Sequence, residues 1–329
     1  MNKNPLISVL LPLYNEPISL AKQAIDSILN QTFSHLEVIL LLDNPQNTEL
    51  INLIQDYEGK DNRVITHINS SNKGLPETLN AGIHKAKGKY IARMDGDDIS
   101  APTRIEKQLK FLLEHPHIDL VGSNAYAINE EGELIGEYHK LSSDFSQKMM
   151  LRHITINLIH PTWLGKIELF KNCLYRNFTH CEDYDFMMRA YALGYHFYNL
   201  QENLFYVRIQ QKSLRSVSRK YAYEQYINTI RVQKQYKTFK RKKLKVYPEL
   251  PELSYDAIDK EKYQSTIADL NSLREAFFQK QILKIISISI RISQKDSRPL
   301  IFRLKVLVLS SILSFMEKIK VSFQNWRID

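Results

Sequence analysis

The chain has 329 residues, 43% hydrophobic and 25% charged, with a formal net charge of +9 at pH 7. That balance excludes a disordered chain and allows one large domain or a domain with an appendage. Two cysteines, Cys173 and Cys181, make no disulfide framework, so a reduced, cytoplasmic setting is expected.

The first apolar run, residues 6–13, has strand length and contains Pro12, so it reads as a first strand rather than a signal core. Ile18, Ala21, Ala24, Ile25, Ile28 and Leu29 then recur at helical spacing. LEVILLL, residues 36–42, is continuously apolar, the pattern of a strand covered on both faces. A helix is expected over 49–57 and a short strand over 64–67. Pro76 falls where a first helical turn tolerates proline, and Leu79, Ile83 and Ala86 line one face behind it. YIARM, residues 90–94, is the next strand, and Pro102 opens a helix carrying Ile105, Leu109 and Leu112. This alternation predicts an α/β fold with a doubly wound, mostly parallel sheet. Ligands of such sheets lie beyond the carboxyl ends of the strands. Residues 12–16, 43–44, 67–74 and 95–98 are the four candidate ends, and all are polar.

From about Leu120 the pattern changes. Residues 124–139 alternate around Gly132 and predict a hairpin, and CEDYDFMMRAYALG predicts a helix from near Glu182 to a cap at Gly194. Short strands are expected at 197–199 and 204–207. Beyond Ser216 the chain reads as helical and basic, with a linker at 246–254. The expected division is a domain of residues 1–215 and an extension of residues 216–329.

Asp95-Gly96-Asp97-Asp98 gathers carboxylates that would repel one another without a partner. They suit a hard cation such as Mg2+ or Mn2+, which takes one or two protein carboxylates plus phosphate oxygens. Gly96 would let the backbone turn sharply. The other reading is a solvated turn capping the next helix. In LPLYNEP, Pro12 takes the strand out of the sheet, and Tyr14, Asn15 and Glu16 could hold a planar base and its ribose, or Asn15 could simply cap a helix. Asn72, Lys73 and Gly74 precede a helix N-terminus that could meet an anion or be an ordinary loop, and Asn80 lies one turn further in. Glu182 and Asp183 are either first-turn acids favoured by the helix dipole or a general base. His160 fits a core or a site role equally. Both cysteines read as structural.

Together, ISVLLPLYNE, SILNQTFSHLEVILLLDN, NKGLPETLNAGI, GKYIARMDGDD, RIEKQ, HPTW and EDYDFMMRA resemble the family 2 inverting glycosyltransferases, with their GT-A fold, over residues 7–208. The resemblance implies a nucleotide-binding half over 1–120 and an acceptor half over 121–215. It implies that Pro12, Tyr14, Asn15 and Glu16 line the nucleotide pocket and that Asp43 meets the base. Asp95 would hold the ribose or join the metal shell. Asp97 would bind Mn2+ or Mg2+ at the diphosphate, and Asp183, with Glu182 beside it, would supply the base. The implied partners are a nucleoside diphosphate sugar, UDP-linked by expectation, and a glycan or lipid-linked glycan acceptor of a lipooligosaccharide, capsule or O-antigen. Two departures stand out. LLDNPQNTE lacks the second acid of the usual Asp-Asp-Gly-Ser, and FYVRIQQKS has Gln210 where relatives carry a histidine, leaving Arg208 available to a phosphate.

Residues 231–245 carry eight Lys or Arg and no acid. LIFRLKVLVLSSILSFMEKIKVSF, residues 300–323, holds only about a dozen uninterrupted uncharged residues against the ~20 that span a bilayer. It suits a membrane interface, with anionic lipid attracting the basic run, or a helical extension packed on the body. The expected location is therefore cytoplasmic, peripheral on the inner membrane face. A nucleotidyltransferase is the alternative among enzymes. A nucleic-acid-binding protein would rest on the basic tail alone, which leaves the acidic strand ends unexplained, so no nucleic acid partner is expected.

Overall fold

A computed structural model describes residues 6–178, 180–209, 222–244 and 246–249, with scattered helical positions beyond, among them 308–317. The element order is β1 (Ile7–Leu13), α1 (Ile18–Leu29), β2 (Leu36–Leu42), α2 (Thr48–Lys60), β3 (Val64–Ile68), α3 (Leu75–Lys85), β4 (Tyr90–Arg93), β5 (Ile99–Ser100), α4 (Arg104–Glu114), β6 (Leu120–Ile128), β7 (Leu134–Tyr138), α5 (Asp144–His153), β8 (Leu164–Lys166), α6 (Ile167–Cys173), α7 (Glu182–Ala192), β9 (Phe197–Arg208) and α8 (Ala222–Lys242), α8 being the last helix labelled here. The strands form one sheet in the order β3-β2-β1-β4-β8-β6-β9-β5, with β7 paired to β6. The first four strands are parallel. Next comes β8, antiparallel to both β4 and β6, while β6 and β9 run parallel.

The parallel half follows from its residues. Every residue of β1 and β2 is buried, and alternate side chains feed two cores. Leu10, Ile39 and Leu41 meet Leu79 and Ile83 of α3 on one face. Val9, Leu11, Val38 and Leu40 meet Ala24 and Ile25 of α1 and Leu50 of α2 on the other. A strand covered on both sides reads as an unbroken apolar run. The hairpin at Gly132 (φ 89°) and the helix ending before Gly194 (φ 96°) are as expected.

Three strands differ from expectation, and α8 takes one of the readings the sequence left open. Residues 197–208 form one strand, not two, with register breaks opposite Ser123–Tyr126 where Gln201 and Glu202 turn outward. The two-residue β5 and three-residue β8 are too short for any periodicity to announce. The start of the basic extension shares the main core: Val232, Tyr236 and Phe239 of α8 are buried with Phe186 and Met187 of α7, and Tyr236 stacks on Tyr191 at 5.2 Å. Tyr247 packs on Phe239, and the carbonyl of Pro248 accepts bonds from Arg176 and Gln235, so residues 246–249 of the expected linker are tied back to the body. Residues 250–254 lie outside the described residues. Among the described residues, no helix is long and apolar enough to cross a membrane.

Asp185 fastens the second half. Its carboxylate is fully buried and accepts from Arg176 and from Arg189, 2.9 Å away, and Arg189 also donates to the carbonyls of Cys173 and Leu174. Removing one partner of a buried ionic network leaves uncompensated charge and costs about 3–5 kcal/mol. Asp185→Ala is therefore expected to lower the free energy of unfolding by about that much in urea titration.

Candidate active site

The four parallel strand ends enclose a cleft of about 380 Å³. Pro12, Leu13, Tyr14 and Glu16 come from the end of β1, and Asp43 from β2. Asn72 and Gly74 come from the β3–α3 connection, Leu75 and Thr78 from the first turn of α3, and Asp95, Gly96 and Asp97 from the segment just after β4. Gly96 is needed for close approach, not for a turn: a Cβ there would lie 2.5 Å from Leu13 Cδ2 and 2.9 Å from the Pro12 carbonyl. That contact brings Asp95 and Asp97 against Glu16. Burial pushes the Glu16 carboxyl above its usual range despite a 2.6 Å bond from the Tyr14 amide, and Asp97 and Asp95 push it further. Tyr14 is 44% exposed at the mouth, where its hydroxyl accepts a 3.2 Å bond from Asn72.

Asp43 builds the opposite wall. Its Oδ1 accepts from Asn69 Nδ2 and the Lys73 amide, both at 2.7 Å, and its Oδ2 from the Gly74 amide at 2.8 Å. The anion met by those two amides is thus Asp43 itself, where the sequence suggested a ligand. Gly74, at φ 81°, makes the turn possible.

The structure sets the remaining sequence-predicted residues elsewhere. Asn15 does not cap α1, which begins after Pro17; its side chain accepts a 2.7 Å bond from Asn44 outside the cleft lining. Lys73 is exposed and contributes its backbone amide. Asn80 faces away and exchanges two 2.7 Å bonds with the backbone of Tyr175. Arg208 is not available to a phosphate: Nε bonds the Asp97 carbonyl, Nη1 the carbonyls of Asn129 and Glu130, and Nη2 the Gln23 side chain. It is a buried strut, and its amide also holds Asp98 Oδ1 at 2.8 Å. Asp98 therefore turns inward while Asp95 and Asp97 face the cleft. Gln210 lies outside the described residues.

Glu182 and Asp183 open α7 beside this cleft without lining it. Burial raises both carboxyls. Glu182 is pushed up to about 7, with Asp183 adding to the shift, while a bond from the Tyr184 amide at 2.6 Å moderates Asp183. The charge between acid pair and cleft is Arg93, which sequence reading missed. Its side chain is 3% exposed, and its Nη2 pairs with Asp95 Oδ1 at 2.5 Å, while Nε and Nη1 have no hydrogen-bond partner. Its positive charge favours the ionised forms of Asp98, Glu182 and Asp183 and holds the buried His160 imidazole neutral together with burial. His160 bonds the Tyr175 hydroxyl at 2.8 Å and packs on Trp163, a core arrangement behind the site. The available signal was an arginine closing the otherwise apolar strand YIAR.

Among the described residues no three His, Cys, Asp or Glu side chains form a metal cage. The two carboxylates at the cleft, crowded against Glu16, fit a hard cation whose other ligands are phosphate oxygens.

The nine-stranded α/β sheet, with an acidic cleft at its parallel strand ends, has the GT-A fold. S. aureus TarS 1–349 has the same fold, at a TM-score of 0.54 and 18% identity over 88% of this chain and 91% of that one. Residues 8–174 match Glycosyl transferase family 2, and the chain belongs to that family. An uncharacterised glycosyltransferase of Methanocaldococcus jannaschii, MJ1057, is 34% identical over 70% of this chain and 77% of its own length. The Escherichia coli O-antigen biosynthesis glycosyltransferase WbnJ is 32% identical over 63% of this chain and 81% of its own. The family match covers the cleft and stops before Glu182 and Asp183.

The Asp43 arrangement is directly measurable. Hydrogen bonds to a charged acceptor contribute about 1.5–3 kcal/mol each. Asp43→Asn should therefore speed hydrogen exchange at the Lys73 and Gly74 amides roughly ten- to a hundredfold, leaving the β1 and β2 amides unchanged.

Proposed function

We propose that this glycosyltransferase moves a hexosyl or N-acetylhexosaminyl group from a UDP-sugar to a hydroxyl of a growing surface glycan, with inversion at the anomeric carbon. The observation that carries the reading is the pairing of an acidic cleft at the strand ends with a half-buried acid pair that shares the charge of Arg93. TarS has been crystallised with UDP-GlcNAc and with UDP, and the WbnJ relative is named for O-antigen synthesis; both support the choice of donor and acceptor.

In this reading Tyr14 and Asp43 flank the base, and Asp97 with Asp95 would hold Mn2+ or Mg2+. The ion, when bound, would neutralise the charge that develops on the departing diphosphate. The chain's own acids do the rest. The Asp183 carboxylate takes the proton of the acceptor hydroxyl as its oxygen bonds to the anomeric carbon. The bond from that carbon to the diphosphate oxygen breaks on the opposite face, and its electron pair leaves with UDP. A single displacement inverts the centre, and no covalent intermediate is required. Asp183 then releases its proton to solvent. Glu182 beside it ionises near neutrality, so the pair loses its full negative charge as pH falls through about 7.

Calorimetric titration with UDP tests the donor site. Binding that strengthens with Mn2+ and weakens at least about tenfold in Asp97→Ala is expected. Failure of UDP to bind under either condition contradicts the proposal. Asp183→Asn should keep UDP affinity yet lower turnover by about 10²–10⁴. Retained turnover would move the base to Glu182. Release of UDP, not pyrophosphate, separates this reaction from nucleotidyl transfer.

The pH profile tests Arg93. Turnover should fall on the acid side as the base takes up its proton. Arg93→Met removes a positive charge that favours the ionised acids, so the acid limb should move to higher pH. A limb unmoved in the variant would remove Arg93 from the site's electrostatics.

A further inference from the structure

We propose that the protein docks on an anionic phospholipid surface through two elements that meet at the end of α5: the outward apolar stripe of a helix at residues 308–317 and the exposed basic face of α8. Among the described residues, the helix is seated by one side. Leu313 is 2% exposed and packs with Met150 and Ile154, with Leu309 beside it. Glu317, one turn further on, turns inward and accepts bonds of 2.9–3.1 Å from the Ser142 and Ser143 amides and the Ser143 hydroxyl. Burial opposes its charge, but these bonds outweigh burial and hold its carboxyl low. The helix thus spends its acid on its own seat.

The opposite side is apolar and open. Val308, Ile312, Phe315 and Met316 are 57%, 51%, 65% and 48% exposed. At 100° per residue they fall on one face, the arrangement of a helix lying in an interface. Arg303, Lys305, Lys318 and Lys320 flank that stretch in the sequence.

Charge supplies the choice of occupant. Beside the same point, Gln233 of α8 donates to the Ile154 carbonyl at 3.1 Å. The exposed Lys234, Lys237, Lys240, Arg241, Lys242 and Lys243 follow, and among the described residues none has an acidic partner. Each basic residue near an anionic bilayer contributes attraction that falls off within a Debye length. A second copy would have to face one such positive surface with another, which like charges resist. Anionic lipid satisfies both the stripe and the charge. The inference is independent of the donor-site reading.

Flotation of the full chain with vesicles tests it. Wild type should float with phosphatidylcholine vesicles containing phosphatidylglycerol, be released by high salt, and remain unbound to phosphatidylcholine alone. The triple variant Lys237→Glu, Lys240→Glu, Arg241→Glu should lower partitioning at least about tenfold. The double variant Ile312→Ser, Phe315→Ser should lower it as well, and both variants should melt as wild type does. Wild type that fails to float, or variants that float undiminished, would overturn the proposal. So would variants that change the mass in light scattering while flotation is unaltered, since a second copy would then cover the stripe.

Discussion

Arg93 is the positive charge against which four carboxyl groups are set. Asp95 touches it, and Asp98, Glu182 and Asp183 are each held closer to ionisation by it. Burial raises the carboxyls of Asp98, Glu182 and Asp183, and the charge of Arg93 opposes that rise in each. Two of its nitrogens lack partners, an unusual expense for a buried guanidinium. Arg93 also stands on the strand at the boundary between the two halves of the sheet, because β4 is the last parallel strand and β8 follows it in reverse. The cleft carboxylate Asp95 and the acid pair therefore share one positive charge.

The rest of the cleft is organised by acids that serve the protein. Asp43 folds the loop before α3 around its carboxylate, and Asp98 fixes the β4 end to β9 through the Arg208 amide. Arg208 completes that tie by bonding the Asp97 carbonyl and the hairpin backbone. With those groups satisfied internally, Asp95, Asp97 and Glu16 remain as the carboxylates turned to the cleft. This division answers why an apolar strand should run into three aspartates in four positions. One is structural, bonded by the Arg208 amide, and two turn their charge to the cleft, where the proposed function places a cation.

Much of the fold was legible because its signals are local. β1 and β2 are apolar apart from Ser8 and Glu37, which bond each other, α3 carries its proline in the first turn, and the acids end a strand. A parallel sheet then places the cleft without further information. What could not be read depends on contacts far apart in the chain. Nothing near Asn80 announces that it will pin Tyr175, 95 residues away, and nothing near Arg208 announces the Asp97 carbonyl 111 residues back. Polar residues at strand ends look alike whether they face ligand or protein. Arg93 was hidden for the opposite reason: it closes a strand that otherwise reads as core. α8 was read by its charge, and the i, i+4, i+7 spacing of Val232, Tyr236 and Phe239 that buries it went unnoticed.

The proposed donor site joins the carboxylates that follow β4 to the Asp43 wall. Anomalous scattering from crystals grown with manganese and UDP tests it most directly. The account predicts a manganese peak in the coordination shell of Asp97, bridged to the diphosphate, with the uracil ring between Tyr14 and Asp43. A manganese peak elsewhere, or UDP ordered away from this cleft, would contradict it.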